Sequence, residues 1–286
     1  MSTTGESGAT PGEAVRRIAQ QTESIVAAGG YGTSSGRTAS IAAAVDAARM
    51  GTRMFGPDPV RTPQVAAVST RFEVTGESSL EAARRLVGRS GDPVAVLNFA
   101  SARNPGGGFL NGAQAQEEAL CRSSALYACL REVKEFYDHH RAHRDPFYSD
   151  RVIHSPGVPV FRDDRGRLLD EPYTVGFLTS PAPNAGVVLR RTPERAGELP
   201  GALVARAERV LETAVASGYR RLVLGAWGCG VFRNDPAQVA GAFRALLVGG
   251  RFEGHFGDIV FAVLDRTPEA TTRAAFTEAF ADVCAA

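Results

Sequence analysis

Residues 93–99 (Pro-Val-Ala-Val-Leu-Asn-Phe) form a continuous apolar run of strand length. A strand apolar on both faces must be covered on both, which places it inside a sheet flanked by helices. Three adjacent glycines, Gly106, Gly107 and Gly108, follow within one loop's length. Gln116, Glu117 and Glu118 come next and lead into a stretch of helical periodicity. A buried strand that runs through a glycine-rich loop into a helix is the repeating unit of α/β folds, whose ligands bind beyond the carboxyl ends of the strands.

The rest of the chain extends this pattern. Residues 1–11 are small and polar, with no basic or apolar region of the kind a signal peptide has, and read as a disordered tail. Val15, Ile18, Ala19, Ile25 and Val26 give residues 13–28 a helical stripe, broken by Gly29-Gly30-Tyr31-Gly32. Residues 40–50 are alanine-rich and helical, and Pro57, Pro59 and Pro63 mark a linker. No strand pattern is visible over residues 12–62, which are expected to form a helical N-terminal extension to a domain spanning 63–286. Residues 65–68 and 72–75 are β-rich, and Ser78 and Glu81 have the spacing of a capping box that opens a helix through Val87. Helices are expected over 117–131, over 201–217, from the Asp235-Pro236 pair to Val248, and from Thr267-Pro268 onward. Strands are expected at 221–226 and 257–264, with short ones at 152–153, 158–161 and 173–178 around a polar turn at 162–166. The alternation predicts a three-layer α/β/α domain with a mixed, largely parallel sheet.

Composition removes several classes of function. A formal net charge of +1 leaves no broad electrostatic footprint for nucleic acid. No apolar segment approaches the roughly 20 residues of a membrane span. Of the 32 basic residues only Lys134 is a lysine, so there is no Walker A loop, and a Schiff base would have to use a side chain in a polar, charged stretch. Cys121, Cys129, Cys229 and Cys284 show no Cys-x-x-Cys spacing and read as reduced thiols of a cytoplasmic protein. His139, His140 and His143 have spacings that face one metal ion, but their charged neighbours favour a solvated helix end. His154 and His255 are isolated. There is no Gly-x-Ser-x-Gly elbow and no base in sequence beside a cysteine.

Two loops remain as candidate ligand sites. Residues 225–234 (Gly-Ala-Trp-Gly-Cys-Gly-Val-Phe-Arg-Asn) follow a strand and precede a helix N-terminus, where successive backbone N–H groups and the helix dipole suit a phosphate. Its glycines also fit an ordinary turn, and Phe232 fits either a sugar contact or a buried anchor. In the first loop, Glu117 and Glu118 fit simple dipole complementation. Their place after a triple glycine at a strand end favours a ligand instead, and side chains about 100° apart on a helix would address different parts of it. A helix N-terminus favours the ionised carboxylate, whereas a proton donor at neutral pH needs the opposite. Burial beneath an anionic substrate, together with the neighbouring carboxylate, is expected to supply the upward push.

Gly106-Gly107-Gly108, seven residues, then Gln116-Glu117-Glu118 resembles the signature of bacterial-type poly(ADP-ribose) glycohydrolases, a macrodomain family. Asn98-Phe-Ala-Ser101, Thr179-Ser-Pro-Ala-Pro-Asn184 and residues 225–232 extend the likeness over roughly 64–286. The resemblance implies that Glu118 is the catalytic acid at the ribose–ribose bond, that Glu117 holds ribose hydroxyls and that Gln116 supports the loop. It further implies that Asn98 and Ser101 contact the distal ribose, and that Gly106, Gly107 and Gly108 approach the diphosphate and ribose. Gly228, Cys229, Gly230 and Val231 would cradle the diphosphate, with Phe232 against the ribose. Asn98 stands where animal relatives carry an acidic residue and is expected to bind rather than catalyse. The implied enzyme is a monomer that needs neither metal nor cofactor, acts on poly(ADP-ribose) from chain ends, binds ADP-ribose and reverses the modification of ADP-ribosylated proteins in the DNA damage response. The alternatives are an ADP-ribose reader without turnover, which would have no need of the paired acids, and a hydrolase of mono(ADP-ribosyl) proteins, which differs only in the leaving group.

Overall fold

The computed structural model describes residues 11–284. The expected tail falls outside the described residues except for Pro11, which opens the first helix. In chain order the elements are α1 (Pro11–Ala28), β1 (Gly30–Gly32), β2 (Thr38–Ser40), α2 (Ala42–Gly51), β3 (Arg53–Phe55), β4 (Arg71–Thr75), α3 (Ser79–Arg89) and β5 (Val94–Phe99). After a 3-10 turn at Phe109–Asn111 come α4 (Gln116–Ser123), α5 (Leu126–Leu130), α6 (Lys134–Ala142), β6 (Val152–Arg162), β7 (Leu168–Ser180), α7 (Ala185–Arg191), α8 (Leu199–Ala216), β8 (Arg221–Leu224), α9 (Pro236–Leu247), β9 (Asp258–Ala262) and α10 (Thr271–Ala279).

Seven strands make the main sheet in the order β3-β6-β7-β5-β8-β9-β4. The β3–β6 and β6–β7 pairs are antiparallel, and the others are parallel. Strand alternation explains the layers. Val94 and Val96 of β5 join the core beneath α1 to α6, whereas Ala95 and Leu97 join the core beneath α8, α9 and α10. The α/β/α expectation holds. The apolar run is the central strand, and its parallel neighbour β8 sets the two glycine loops side by side at their carboxyl ends.

Several local expectations change. Residues 12–62 contain three short strands. β1 and β2 pair as a hairpin, and β3 joins the main sheet on β6, with Met54 opposite Ile153. A three-residue strand holds too little alternation to show a period. Residues 65–68 form no strand. The capping box at Ser78 is present, with Glu81 N donating to Ser78 Oγ at 3.1 Å and Ser78 N donating to Glu81 Oε2 at 3.0 Å. The expected 117–131 helix breaks at Ser124, whose hydroxyl donates back to Leu120 O, while Ala125 N turns to Pro159 O on β6. The three short strands are two long ones. Pro156 and Gly157 sit where the register shifts inside β6, which hides its continuity in sequence. The last helix starts at Thr271 rather than Thr267, because Asp265 gathers Thr267 N, Thr267 Oγ1 and Thr272 N. α7, which the pattern did not reveal, is capped by Asn184.

The proline-marked linker is docked. Val60 N donates to Glu212 Oε2 at 2.8 Å, and Glu212, wholly buried on α8, is paired with Arg209 and Arg251. α1 is tied to the β6–β7 hairpin by Arg162, which donates to Thr22 Oγ1, Gln21 Oε1 and Gly166 O.

Candidate active site

The loop after β5 is built around Gln116, Glu117 and Glu118 of the first turn of α4. Gln116 binds the strand to the helices, accepting from Phe99 N at 2.9 Å and donating to Leu97 O at 2.8 Å and Ser79 Oγ at 3.1 Å. The two acids differ in surroundings. Glu117 is 2% exposed; its Oε2 accepts from Ser101 N at 2.6 Å and its Oε1 from Asn98 Nδ2 at 3.3 Å. Burial pushes its carboxyl up to about 8, against the hydrogen bonds of Ser101 and Asn98, and the charge of Glu118 adds to the rise. Glu118 is 7% exposed; its Oε1 accepts from Gly108 N at 2.8 Å, and its Oε2 is buried without a hydrogen-bond partner. A buried oxygen left without a partner costs about 1–3 kcal/mol, which a ligand hydrogen would recover.

Backbone requirements explain two of the glycines. Gly107 has φ +57°, and a Cβ there would strike the Glu118 carboxyl group. Gly106 has φ +67°, and a Cβ there would lie 2.8 Å from the Tyr127 ring. The outer side of the loop is braced by α1, since a Cβ at Gly112 would meet Gly12 O at 3.2 Å and Arg16 Cγ at 3.1 Å.

The loop after β8 is anchored from below by Trp227, whose Nε1 donates to Ser180 O at 2.9 Å, and by Asn234, whose Nδ2 donates to Pro183 O and Gly228 O. Its backbone amides divide into two sets. Those of Trp227, Cys229, Arg233 and Asn234 donate to carbonyls of the same loop. Those of Gly228, Gly230, Val231 and Phe232 donate to no acceptor among the described residues. Four uncommitted amides in one short turn are free to hold an anion. Val231 is 78% exposed, on the surface of this turn. Cys229 is half-buried, and its thiol is pushed up to about 12 by burial, so it is no nucleophile.

Both loops face one cleft of about 1080 Å³. Ser101, Gly107, Gly108, Gln116, Glu117, Glu118, Gly228, Gly230, Val231 and Phe232 line it. Asn98 is wholly buried behind Glu117, which its amide holds, and Gly106 is buried under the loop. Cys229 faces an adjoining compartment of about 610 Å³, which shares Phe99, Gln114, Ala115, Gln116, Ala226 and Gly230 with the first. Its outer walls are Val15 and Ile18 of α1, the turn at 162–166 and residues 262–266.

Among the cleft residues not singled out in sequence are Arg103, Tyr127 and Tyr148. Tyr148 has φ +58°, a conformation that costs a non-glycine residue about 1–3 kcal/mol. Its ring centroid lies 5.7 Å from that of Phe232. Its neighbour Ser149 is held by His140, whose Nδ1 donates to Phe136 O at 2.8 Å, leaving Nε2 to accept from Ser149 Oγ at 2.8 Å. His140 is buried and held down to about 4 by burial, so it is a structural group and not part of a solvated helix end. Local spacing carries no sign of this arrangement, which depends on a loop about 40 residues after one glycine turn and about 80 before the other.

No group of His, Cys, Asp and Glu side chains suited to a metal ion occurs among the described residues. No helix among them is long and apolar enough to cross a membrane.

Comparison with known proteins agrees with this geometry. The model of the microbial-type PARG catalytic domain matches residues 19–163. The poly(ADP-ribose) glycohydrolase of Thermomonospora curvata is 53% identical over 93% of this chain and 99% of that one, with a TM-score of 0.90. Its structure bound to the inhibitor ADP-HPD is 54% identical over 93% and 98%, with a TM-score of 0.86. The poly(ADP-ribose) glycohydrolase of Deinococcus radiodurans in complex with ADP-ribose is 45% identical over 84% and 98%, with a TM-score of 0.78. No curated protein matches the chain. A family model, whole-chain superposition and identity above one half together show that the chain belongs to the microbial-type poly(ADP-ribose) glycohydrolases.

Proposed function

We propose that this glycohydrolase releases ADP-ribose from the ends of poly(ADP-ribose) with Glu118 as its acid and base. The observation that carries the assignment is the state of its carboxyl group: one oxygen is fixed on Gly108 N and the other is buried, unpartnered, in the wall of the cleft. Protonated Glu118 donates to the bridging oxygen as the bond from that oxygen to the anomeric carbon breaks. The leaving sugar departs with a hydroxyl group, and positive charge develops on the ribose. The Glu118 carboxylate then takes a proton from water as the water oxygen bonds to the anomeric carbon, which restores the acid and yields free ADP-ribose.

The surrounding groups have supporting roles in this scheme. The uncommitted amides of Gly228, Gly230, Val231 and Phe232 take the pyrophosphate, and Phe232 packs on the ribose. Glu117, fixed by Ser101 N and Asn98 Nδ2, orients the ribose hydroxyls, and Gln116 holds the helix start against the strand. The adjoining compartment takes the adenosine. Closure of its far side by α1 and the 162–166 turn supports action at chain ends, because a following unit would have to pass through that wall. The two acids lie in one turn, so the arrangement with a carboxyl group on each face of the sugar does not apply.

The test is hydrolysis of polymer and of a mono(ADP-ribosyl) protein by the native chain and by Glu118→Ala. The native chain is expected to release ADP-ribose from polymer. The variant should lose about 10²-fold or more in kcat and still bind ADP-ribose. Polymer cleavage at the native rate by Glu118→Ala would remove the mechanism.

A further inference from the structure

Arg103 has no part in the proposed pyrophosphate cradle at 228–232. It lines the cleft, makes no ion pair among the described residues, and its Nε is buried without a partner. Among the described residues it is hydrogen-bonded only through its backbone, with Arg141 Nη1 donating to Arg103 O at 2.6 Å. Its guanidinium sits 5.9 Å above the ring of Tyr148, which in turn packs on Phe232. An unpaired cation beside an aromatic face is the chemistry that recognises a nucleotide: the guanidinium pairs with phosphate and the ring stacks on a base or sugar.

We infer that Arg103 and Tyr148 form a subsite for the polymer unit on the leaving side of the scissile bond, with Arg103 on its pyrophosphate and Tyr148 against its adenosine. The inference rests on the reading that a terminal ADP-ribose fills the cleft with its ribose at Phe232. The terminal pyrophosphate then has the amides at 228–232, and the adenosine has the compartment behind α1. Tyr148, which packs beside Phe232 and also meets Arg103 and His140, is then the cleft aromatic next to the terminal ribose and within reach of what lies across the bond. The backbone argues for the ring as well. Position 148 holds a left-handed conformation that glycine adopts freely, yet it carries a tyrosine locked in place through Ser149 and His140.

The conformation also supplies a clean variant, since Tyr148→Gly removes the ring and relieves the backbone without threatening the fold. Binding is measured by calorimetry in the Glu118→Ala background, so that turnover plays no part. The ligands are ADP-ribose and a two-unit polymer fragment. Arg103→Gln and Tyr148→Gly should each weaken the fragment by about tenfold or more, with ADP-ribose affinity unchanged within about twofold, and Arg103→Lys should recover part of the loss because it keeps the charge. Equal weakening of both ligands would assign Arg103 to the terminal unit's own pyrophosphate and overturn the subsite, as would no weakening of either. A native chain that leaves polymer intact would sink the hydrolytic mechanism, while the fragment-to-ADP-ribose affinity ratio would still judge the subsite.

Discussion

Glu117→Gln offers a quantitative test of the buried acid pair. The Glu117 carboxyl is pushed up to about 8 by burial from an ordinary value of 4.5. Between those values the folded chain holds a proton that the unfolded chain has released, so stability falls as pH rises through the window, by about 1.4 kcal/mol per pH unit. His140 and His154 act in the opposite sense. Both are held down to about 4 by burial, so the unfolded chain binds more protons and stability rises with pH until the unfolded imidazoles, half protonated at their ordinary value of 6.5, have lost their protons. From pH 6.5 to 8 Glu117 removes about 1.7 kcal/mol while the two histidines, still half protonated in the unfolded chain at 6.5, return about 0.8 kcal/mol, so the native chain should lose about 1 kcal/mol. Urea unfolding at half-unit steps across the interval, with the midpoint and slope fitted at each pH, measures this directly. Glu117→Gln cannot ionise, so its curve should instead rise by about 0.8 kcal/mol as the unfolded-state histidines titrate. Parallel slopes in the two proteins would refute the reasoning, because the titrating group would then lie elsewhere.

Further changes test other parts of the structure. Gly107→Ala should cost about 1–2 kcal/mol in unfolding experiments for the left-handed backbone alone, and it should displace the Glu118 carboxyl group, seen as a fall in kcat for polymer. Ser78→Ala removes the reciprocal cap of α3 and should cost about 1 kcal/mol by urea titration. Glu212→Ala leaves Arg209 buried without its partner and frees Val60 N, and should cost about 3–5 kcal/mol in the same assay.

The centre of the fold was legible because each level of the sequence agrees there. The apolar run at 93–99 has one structural solution, the triple glycine marks a loop that must pass close to something, and Gln116-Glu117-Glu118 begins a helix. β8 and the Asp235 cap were legible for similar reasons. What stayed hidden depends on contacts between distant segments. β3 exists because β6 offers an edge, and the break at Ser124 exists because the later part of the same strand offers another. His140 reads as polar in its local sequence but is covered by a loop that crosses over it. Tyr148 belongs to the cleft only because that loop returns to Phe232. Among the site residues, Asn98 shows the limit of motif reading. Its position at the strand end was correct, but only packing reveals that its amide supports Glu117 from behind.

The place of β3 bears on how this protein can be shortened. A chain cut after the first helices would leave the start of β6 with a bare row of amides and carbonyls, covered in the intact protein by three residues, Arg53, Met54 and Phe55. Such a row is a template for any passing strand, including that of another copy. Fragments lacking the first 55 residues should therefore precipitate or pair with one another, so the amino-terminal segment acts as a stopper that keeps neighbouring molecules apart.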